Sequence, residues 1–247
     1  MVYSNFFTSY VEATRSIGKN CNSQAYSHQR WIARLEGFNK DILSNHTPFY
    51  AKKLPRSSCL PLFLSGNSNL KSILDLGGGG GWLGLYIKKN FQHVKAYDLI
   101  ELKYVENYFR DFLAGHSIKY TEHDNQRHYD VIYSNSCIQY FPDIEPLIKC
   151  ISNASPKYIV LDDIYLSKKE QFYCHQKYYE NTMVMNFMNH SDLERSMANA
   201  NYRLCFSGIY RDPILGEDTK IPFDDSVPED WRPHERYTFI YTKNQSF

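Results

Sequence analysis

Apolar side chains recur at two periods along this chain, and the alternation between the periods outlines an architecture. Trp31, Leu35, Phe38 and Ile42 fall three or four apart within residues 26 to 43, the spacing of one face of an amphipathic helix. Thr47-Pro48 and Leu54-Pro55, with Pro61 beyond, then break the chain into an irregular connection. Ile73-Leu74 and Val94-Lys-Ala-Tyr97 read as short buried strands; Leu102, Val105, Phe109 and Leu113 return to helical spacing, and Ser117-Ile-Lys-Tyr120 supplies a third strand. Tyr129-Asp-Val-Ile-Tyr133 is a fourth strand. Pro142-Asp143 opens a helix through Leu147 and Ile151, and Tyr158-Ile-Val-Leu161 is a fifth, fully buried strand. Strands alternating with helices call for a parallel, doubly wound sheet.

The last third follows another pattern. Glu170-Gln-Phe-Tyr-Cys-His-Gln-Lys-Tyr-Tyr179 reads as helix-like, and Ser191-Asp-Leu-Glu194 has capping-box spacing for a helix through Ala200. Tyr202-Arg-Leu-Cys-Phe206 and Tyr237-Thr-Phe-Ile-Tyr241 are strands with no helix between them, the pattern of a closing antiparallel hairpin. Between them, Pro213 to Glu235 is longer than an ordinary hairpin connection and carries Trp231, whose size favours docking against something.

One stretch bears on chemistry. Asp75-Leu-Gly77-Gly-Gly79-Gly-Gly81-Trp-Leu-Gly84 places a glycine turn between a buried strand and a helix, where bare backbone approaches a ligand and the helix amides favour an anionic group. Two registers compete. Asp75 through Gly81 fits Asp-x-Gly-x-Gly-x-Gly, whereas Gly79-Gly-Gly81-Trp-Leu-Gly84 fits the dinucleotide fingerprint Gly-x-Gly-x-x-Gly. In a dinucleotide fold the first glycine directly follows the strand, yet Gly79 lies four residues beyond Asp75, so the first register is better placed. Asp98 ends the second apolar segment, where a carboxylate can accept both hydroxyls of a ribose.

Composition narrows the classes. The 247 residues suffice for one large α/β core, and 43% hydrophobic with 22% charged residues is ordinary for a soluble globular protein. Lys+Arg 28 against Asp+Glu 27 leaves a net charge of +1, with no global field to draw nucleic acid or an anionic membrane. Cys21, Cys59, Cys137, Cys150, Cys174 and Cys205 are scattered without a Cys-x-x-Cys pair, no signal-like start follows Met1, and no run approaches about 18 apolar residues. A reduced, cytoplasmic setting is the expectation.

From about Trp31 to the final strand, with the glycine loop and Asp98 as its strongest points, the chain resembles the class I S-adenosylmethionine-dependent methyltransferases. That resemblance implies a Rossmann-like, mostly parallel α/β sheet with a C-terminal antiparallel hairpin, over residues 70–247. Residues 1–69 would form an N-terminal helical cap whose amphipathic helix covers the cofactor side. It implies S-adenosyl-L-methionine as cofactor, with Asp75 closing the first strand and Gly77, Gly79 and Gly81 near the methionine part. Asp98, with Leu99 beside it, would hold the ribose; His123 or Asp124 would lie near the adenine, and Ser134 or Asn135 beside the cofactor amine. Asp124 could equally cap a turn.

Ser134-Asn135-Ser136-Cys137 lacks the Asn/Asp-Pro-Pro-Tyr/Phe pattern of enzymes that methylate adenine or glutamine nitrogens. Ser136-Cys137-Ile-Gln139-Tyr140-Phe-Pro142-Asp143 instead is similar to the turn of bacterial methyltransferases encoded among surface-polysaccharide genes. That likeness implies O-methylation of a sugar hydroxyl on a polysaccharide or its precursor, with another small-molecule acceptor left open. Methyl transfer chiefly demands alignment of the nucleophile, but an alcohol must also lose its proton, so a base is expected. His175, Asp162 and Asp163 are the candidates; Asp162-Asp163 could also bind a divalent metal or simply end a strand in solvent, and His175 could be a packing residue. A nicotinamide oxidoreductase and a noncatalytic cofactor-binding partner protein remain as alternatives.

Overall fold

The strand that carries the glycine turn lies at the centre of the sheet. In the computed structural model, residues 2–18, 28–44, 59–122, 127–179, 181–210 and 221–244 are described. β2 (Ser72–Leu76) runs parallel between β3 (Ala96–Ile100) and β5 (Val131–Asn135), with Leu74 level with both Asp98 and Ile132. β4 (Ile118–Tyr120) extends the parallel set beyond β3, and β6 (Tyr158–Ser167) extends it beyond β5. β10 (Arg236–Lys243) then pairs antiparallel with β6, and β9 (Tyr202–Tyr210) pairs antiparallel with β10, the expected closing hairpin.

Alternation along these strands divides the core in two. Ile73, Tyr97, Leu99, Val131 and Tyr133 point to one face, where they meet α2 (Gln29–Leu43), α3 (Cys59–Ser65), α4 (Trp82–Asn90) and α5 (Lys103–Ala114). Leu74, Leu76, Ile132, Ile159 and Leu161 point to the other, against α6 (Glu145–Ala154) and α7 (His190–Asn199). With both faces covered, the central strands are continuous apolar runs, which is why they were legible.

Four features differ from expectation. The segment from Glu170 is not helical: β7 (Phe172–Tyr178) and β8 (Asn181–Asn189) form an antiparallel hairpin, and β8 pairs with the end of β6. β1 (Tyr3–Phe7), followed by α1 (Tyr10–Ile17), adds antiparallel to the outer edge of β7, so the N-terminal segment opens with a strand. Phe172, Cys174, Met185 and Phe187 are buried on one side of the hairpin, and Tyr173 and Val184 on the other. Burial on both sides removes the polar alternation that marks a half-exposed strand. Third, α7 begins earlier than Ser191 predicts, because Asn189 is its N-cap and accepts a hydrogen bond from the Asp192 amide at 3.0 Å.

β6 is also longer than the apolar run Tyr158–Leu161, and Asp162-Asp163 lie within it. Opposite Thr238 the register slips by one residue, a β-bulge, and Asp163 takes a left-handed φ of 55°. The segment after residue 220 returns across β1, where the amide of Tyr3 donates to the Pro222 carbonyl and that of Asp224 to the Tyr3 carbonyl. Trp231 does dock, onto Phe6 and Phe172 of its own chain.

Candidate cofactor and acceptor site

The glycine turn sits at the carboxyl end of β2, where ligands gather in open α/β sheets. Gly77, Gly79 and Gly81 have φ of 75°, 56° and 77°. At Gly77 a side chain would also collide with the Cys137 sulfur, and at Gly81, the N-cap of α4, a Cβ would lie 2.6 Å from Leu113 Cδ1. No other residue type meets both demands. Helix α2 closes over the turn: Leu35 lies against Gly79 and Gly80, and Asn39 Nδ2 donates to the Gly80 carbonyl at 2.8 Å. Tyr120 donates from below to the Gly79 carbonyl at 2.8 Å.

Carboxylates surround this turn in different states. Asp75 is buried and accepts the Tyr97 hydroxyl at 2.6 Å; desolvation pushes its carboxyl up to about 7, the Tyr97 bond working against the rise and nearby Glu101 adding to it. Asp98 points to the opposite face of β3 and accepts the Tyr129 hydroxyl at 2.6 Å and Arg127 Nη1 at 2.7 Å on one oxygen. β3 continues two residues beyond Asp98. Leu99 is buried and packs under Gly78.

The acid at the strand tip is therefore Glu101, which the pattern reading missed. Its Oε2 accepts the Gly79 amide at 2.8 Å and its Oε1 the Leu102 amide at 2.7 Å; burial raises its carboxyl, and the two amides oppose the rise. The signal was available, since Leu99-Ile100 continues the apolar run after Asp98 and carries the strand end to Glu101.

Ser134 and Asn135 end β5 alongside the turn; Ser134 is buried, its hydroxyl donating to the Leu76 carbonyl at 3.3 Å. His123 and Asp124 lie outside the described residues. Asp162 and Asp163 are not solvated. Asp162 accepts Thr238 Oγ1 at 2.6 Å and the Tyr133 hydroxyl at 3.2 Å, and desolvation sets its carboxyl at about 6 against these two bonds. Asp163 pairs with Arg236 Nη1 at 2.6 Å and accepts the Ser136 hydroxyl. Arg236, on the closing strand, gave no sequence signal.

His175 is separated from these groups. Its imidazole is buried on β7, with Nδ1 3.0 Å from Asn5 Nδ2 and Nε2 3.0 Å from both Ser16 Oγ and the Ala13 carbonyl. The neighbouring Gln176 faces the site side instead. Tyr140, in the turn after β5, donates to Gln176 Oε1 at 2.9 Å, and Gln176 Nε2 donates to the Tyr3 hydroxyl at 3.0 Å. Trp31, one helical turn before Leu35 on α2, packs edge to face on Tyr178 with ring centroids 5.7 Å apart. Among the described residues, no group of three or more His, Cys, Asp or Glu is placed to hold a metal ion.

A left-handed glycine bend, a helix N-terminus behind it and a carboxylate at the next strand tip fit an adenosyl amino acid: amides for its carboxylate, Glu101 for its diol. Parallel strands in the order β4-β3-β2-β5-β6, closed by β10 and β9, define with that turn a class I S-adenosylmethionine-dependent methyltransferase. The chain belongs to the methyltransferase domain family, which matches residues 45–205.

Solved structures agree on the fold. A chain from the complex of the Haloferax volcanii Trm112 methyltransferase activator with its methyltransferase superposes with a TM-score of 0.54 at 10% identity, covering 91% of this chain and 98% of that one. The 1,6-didemethyltoxoflavin-N1-methyltransferase of Burkholderia thailandensis gives 0.52 at 12% identity and 92% coverage of both. An S-adenosylmethionine-dependent methyltransferase of Clostridium acetobutylicum gives 0.50 at 13%, covering 82% of this chain and 99% of that one. No curated protein matches significantly in sequence. Among the described residues no helix is long and apolar enough to cross a membrane.

Proposed function

We propose that this methyltransferase O-methylates a sugar hydroxyl, on a surface polysaccharide or its precursor. The observation that carries the reading is the span of α2, which covers the glycine turn with Leu35 and, one turn away, sets Trp31 against Tyr178 of β7. Aromatic rings are thereby held beside the cofactor turn, Tyr178 lying two residues from Gln176 on β7, whose side-chain amide accepts the Tyr140 hydroxyl. Flat aromatic faces with a few hydrogen-bonding groups suit a pyranose, which is apolar on its faces and polar at its rim.

S-adenosylmethionine, when bound, supplies an activated methyl group. We assign Gly77, Gly79 and Gly81 to its methionine part, Ser134 and Asn135 to its amine, and the ribose contacts expected of Asp98 to Glu101, which meets the glycine turn at the Gly79 amide while Asp98 points to the opposite face of β3. α2, from the segment 1–69, and the core 70–247 then act as lid and base of one site. Of the three candidate bases, His175 lies away from the turn against β1 and α1, and Asp163 is paired with the Arg236 guanidinium, whereas the Asp162 carboxylate has, among the described residues, only the neutral hydroxyls of Thr238 and Tyr133 as partners. Asp162 stands level with Asn135 in the sheet and, titrating near 6, is ionised at neutral pH, so we assign it the acceptor proton.

Incubation with methyl-labelled cofactor and a panel of nucleotide sugars and cell-surface glycans tests the reading. Label in a base-stable methyl ether is the expected product. Label only in nitrogen-bearing acceptors contradicts it. The rate should fall below about pH 6 as Asp162 protonates, and Asp162→Asn should lower kcat by roughly 10²-fold and remove that acid limb.

A further inference from the structure

We propose that the buried Asp163–Arg236 pair positions the cofactor: it fixes the turn after β5, and that turn in turn bears on the glycine loop. Asp163 and Arg236 are positioning residues in this account. The proposal rests on the reading that Ser134 and Asn135 border the cofactor.

The contacts form a continuous chain. Arg236 is held between the rings of Tyr165 and Tyr210, 5.6 and 5.0 Å from their centroids, and donates to Asp163 Oδ1. The other oxygen of Asp163 accepts the Ser136 hydroxyl, and its backbone carbonyl accepts Gln139 Nε2 at 3.4 Å. The Ser136 amide donates to the Asp162 carbonyl at 3.1 Å. The bulge thus grips the turn at both Ser136 and Gln139. Cys137, between them, is the residue against which Gly77 packs without room for a side chain.

Two features set this apart from a contact that merely adds stability. Asp163 and Ser136 both hold left-handed φ, 55° and 51°, although neither is glycine. Such a conformation persists only where the surroundings fix it, and the shared hydrogen bond joins the two strained residues directly. In addition, an ion pair whose partners are 11% and 8% exposed gains little net stability over apolar residues of the same volume, while it holds one geometry closely. Apolar packing would have served the bulge as well if burial were its purpose.

Ser136 and Arg236 contact different oxygens of Asp163, so a double-mutant cycle reads transmission through the carboxylate. Dissociation constants for S-adenosylhomocysteine would be measured by calorimetry for wild type, Ser136→Ala, Arg236→Met and the double variant, with Asn135→Ala alongside. Circular dichroism and melting curves would fix the temperature well below each transition. Ser136→Ala removes one half-buried hydroxyl and keeps the test open if Arg236→Met does not fold.

Each single variant should weaken binding roughly five- to tenfold, and the double variant no more than the weaker single one. Affinity within twofold of wild type for the folded single variants, with only the melting point lowered, would overturn the proposal; so would effects that multiply in the double variant. If Asn135→Ala also bound normally, the turn would not border the cofactor and the underlying reading would fall with it.

Discussion

Glu101 and Asp98 show how much a three-residue displacement along one strand decides. Asp98 lies in β3 and Glu101 directly after it, but Asp98 turns to Tyr129 and Arg127 while Glu101 turns to the Gly79 amide. Asp98→Ala leaves the buried Tyr129 hydroxyl without its acceptor and should cost about 1–3 kcal/mol in urea unfolding. Glu101→Gln loses the charge and turns an NH2 group toward one of the two amides, of Gly79 or Leu102, so it should weaken S-adenosylmethionine binding about tenfold and cost about 1–3 kcal/mol in urea unfolding. Asp75 gives a pH signature. Because its folded carboxyl titrates near 7, above the unfolded value of 3.8, the native state binds the extra proton between them. Its contribution is complete below about pH 4 and is lost as pH rises through about 7. Asp75→Asn keeps the Tyr97 bond and should therefore flatten the fall of melting temperature between pH 5 and pH 8. An unchanged slope would assign that fall to other groups.

Elements explain which parts of the site were legible. The glycine turn, the helix that covers it and the alternating core were readable because each rests on local chemistry or on a period of 2 or 3.6 residues. The hairpin β7–β8 was not, because burial on both sides erased alternation and left an apolar, aromatic segment that periodicity alone assigns to a helix as readily as to a strand. His175 was misplaced with it. The bulge in β6 was hidden for another reason. Nothing in Leu161-Asp-Asp-Ile164 announces that Thr238 and Arg236, more than seventy residues later, take up the two carboxylates. The element that joins the glycine turn to β7 is α2, with Leu35 on the turn and Trp31 on Tyr178. Leu35→Ala should destabilise the protein by about 2–5 kcal/mol and, unlike an equal loss elsewhere in the core, raise the KM for cofactor several-fold.

Across the whole molecule, a class I sheet has gained an edge of its own. β1, β7 and β8 extend it past β6, and the segment 221–235 returns to seal them with Ile221, Val227 and Trp231. The core supplies the cofactor turn; the addition supplies Gln176 and Tyr178 beside it. That division matches a fold whose methyl donor is constant and whose acceptor is set by what surrounds the strand ends. The central claim is that the bend after Asp75 holds an adenosyl sulfonium, and titration calorimetry of the folded protein with S-adenosylhomocysteine and, separately, with NAD tests it most directly. Saturable binding of S-adenosylhomocysteine, lost in Gly77→Ala, with no heat from NAD, is the result expected. Heat from NAD alone, or binding of S-adenosylhomocysteine undiminished by Gly77→Ala, would contradict the account.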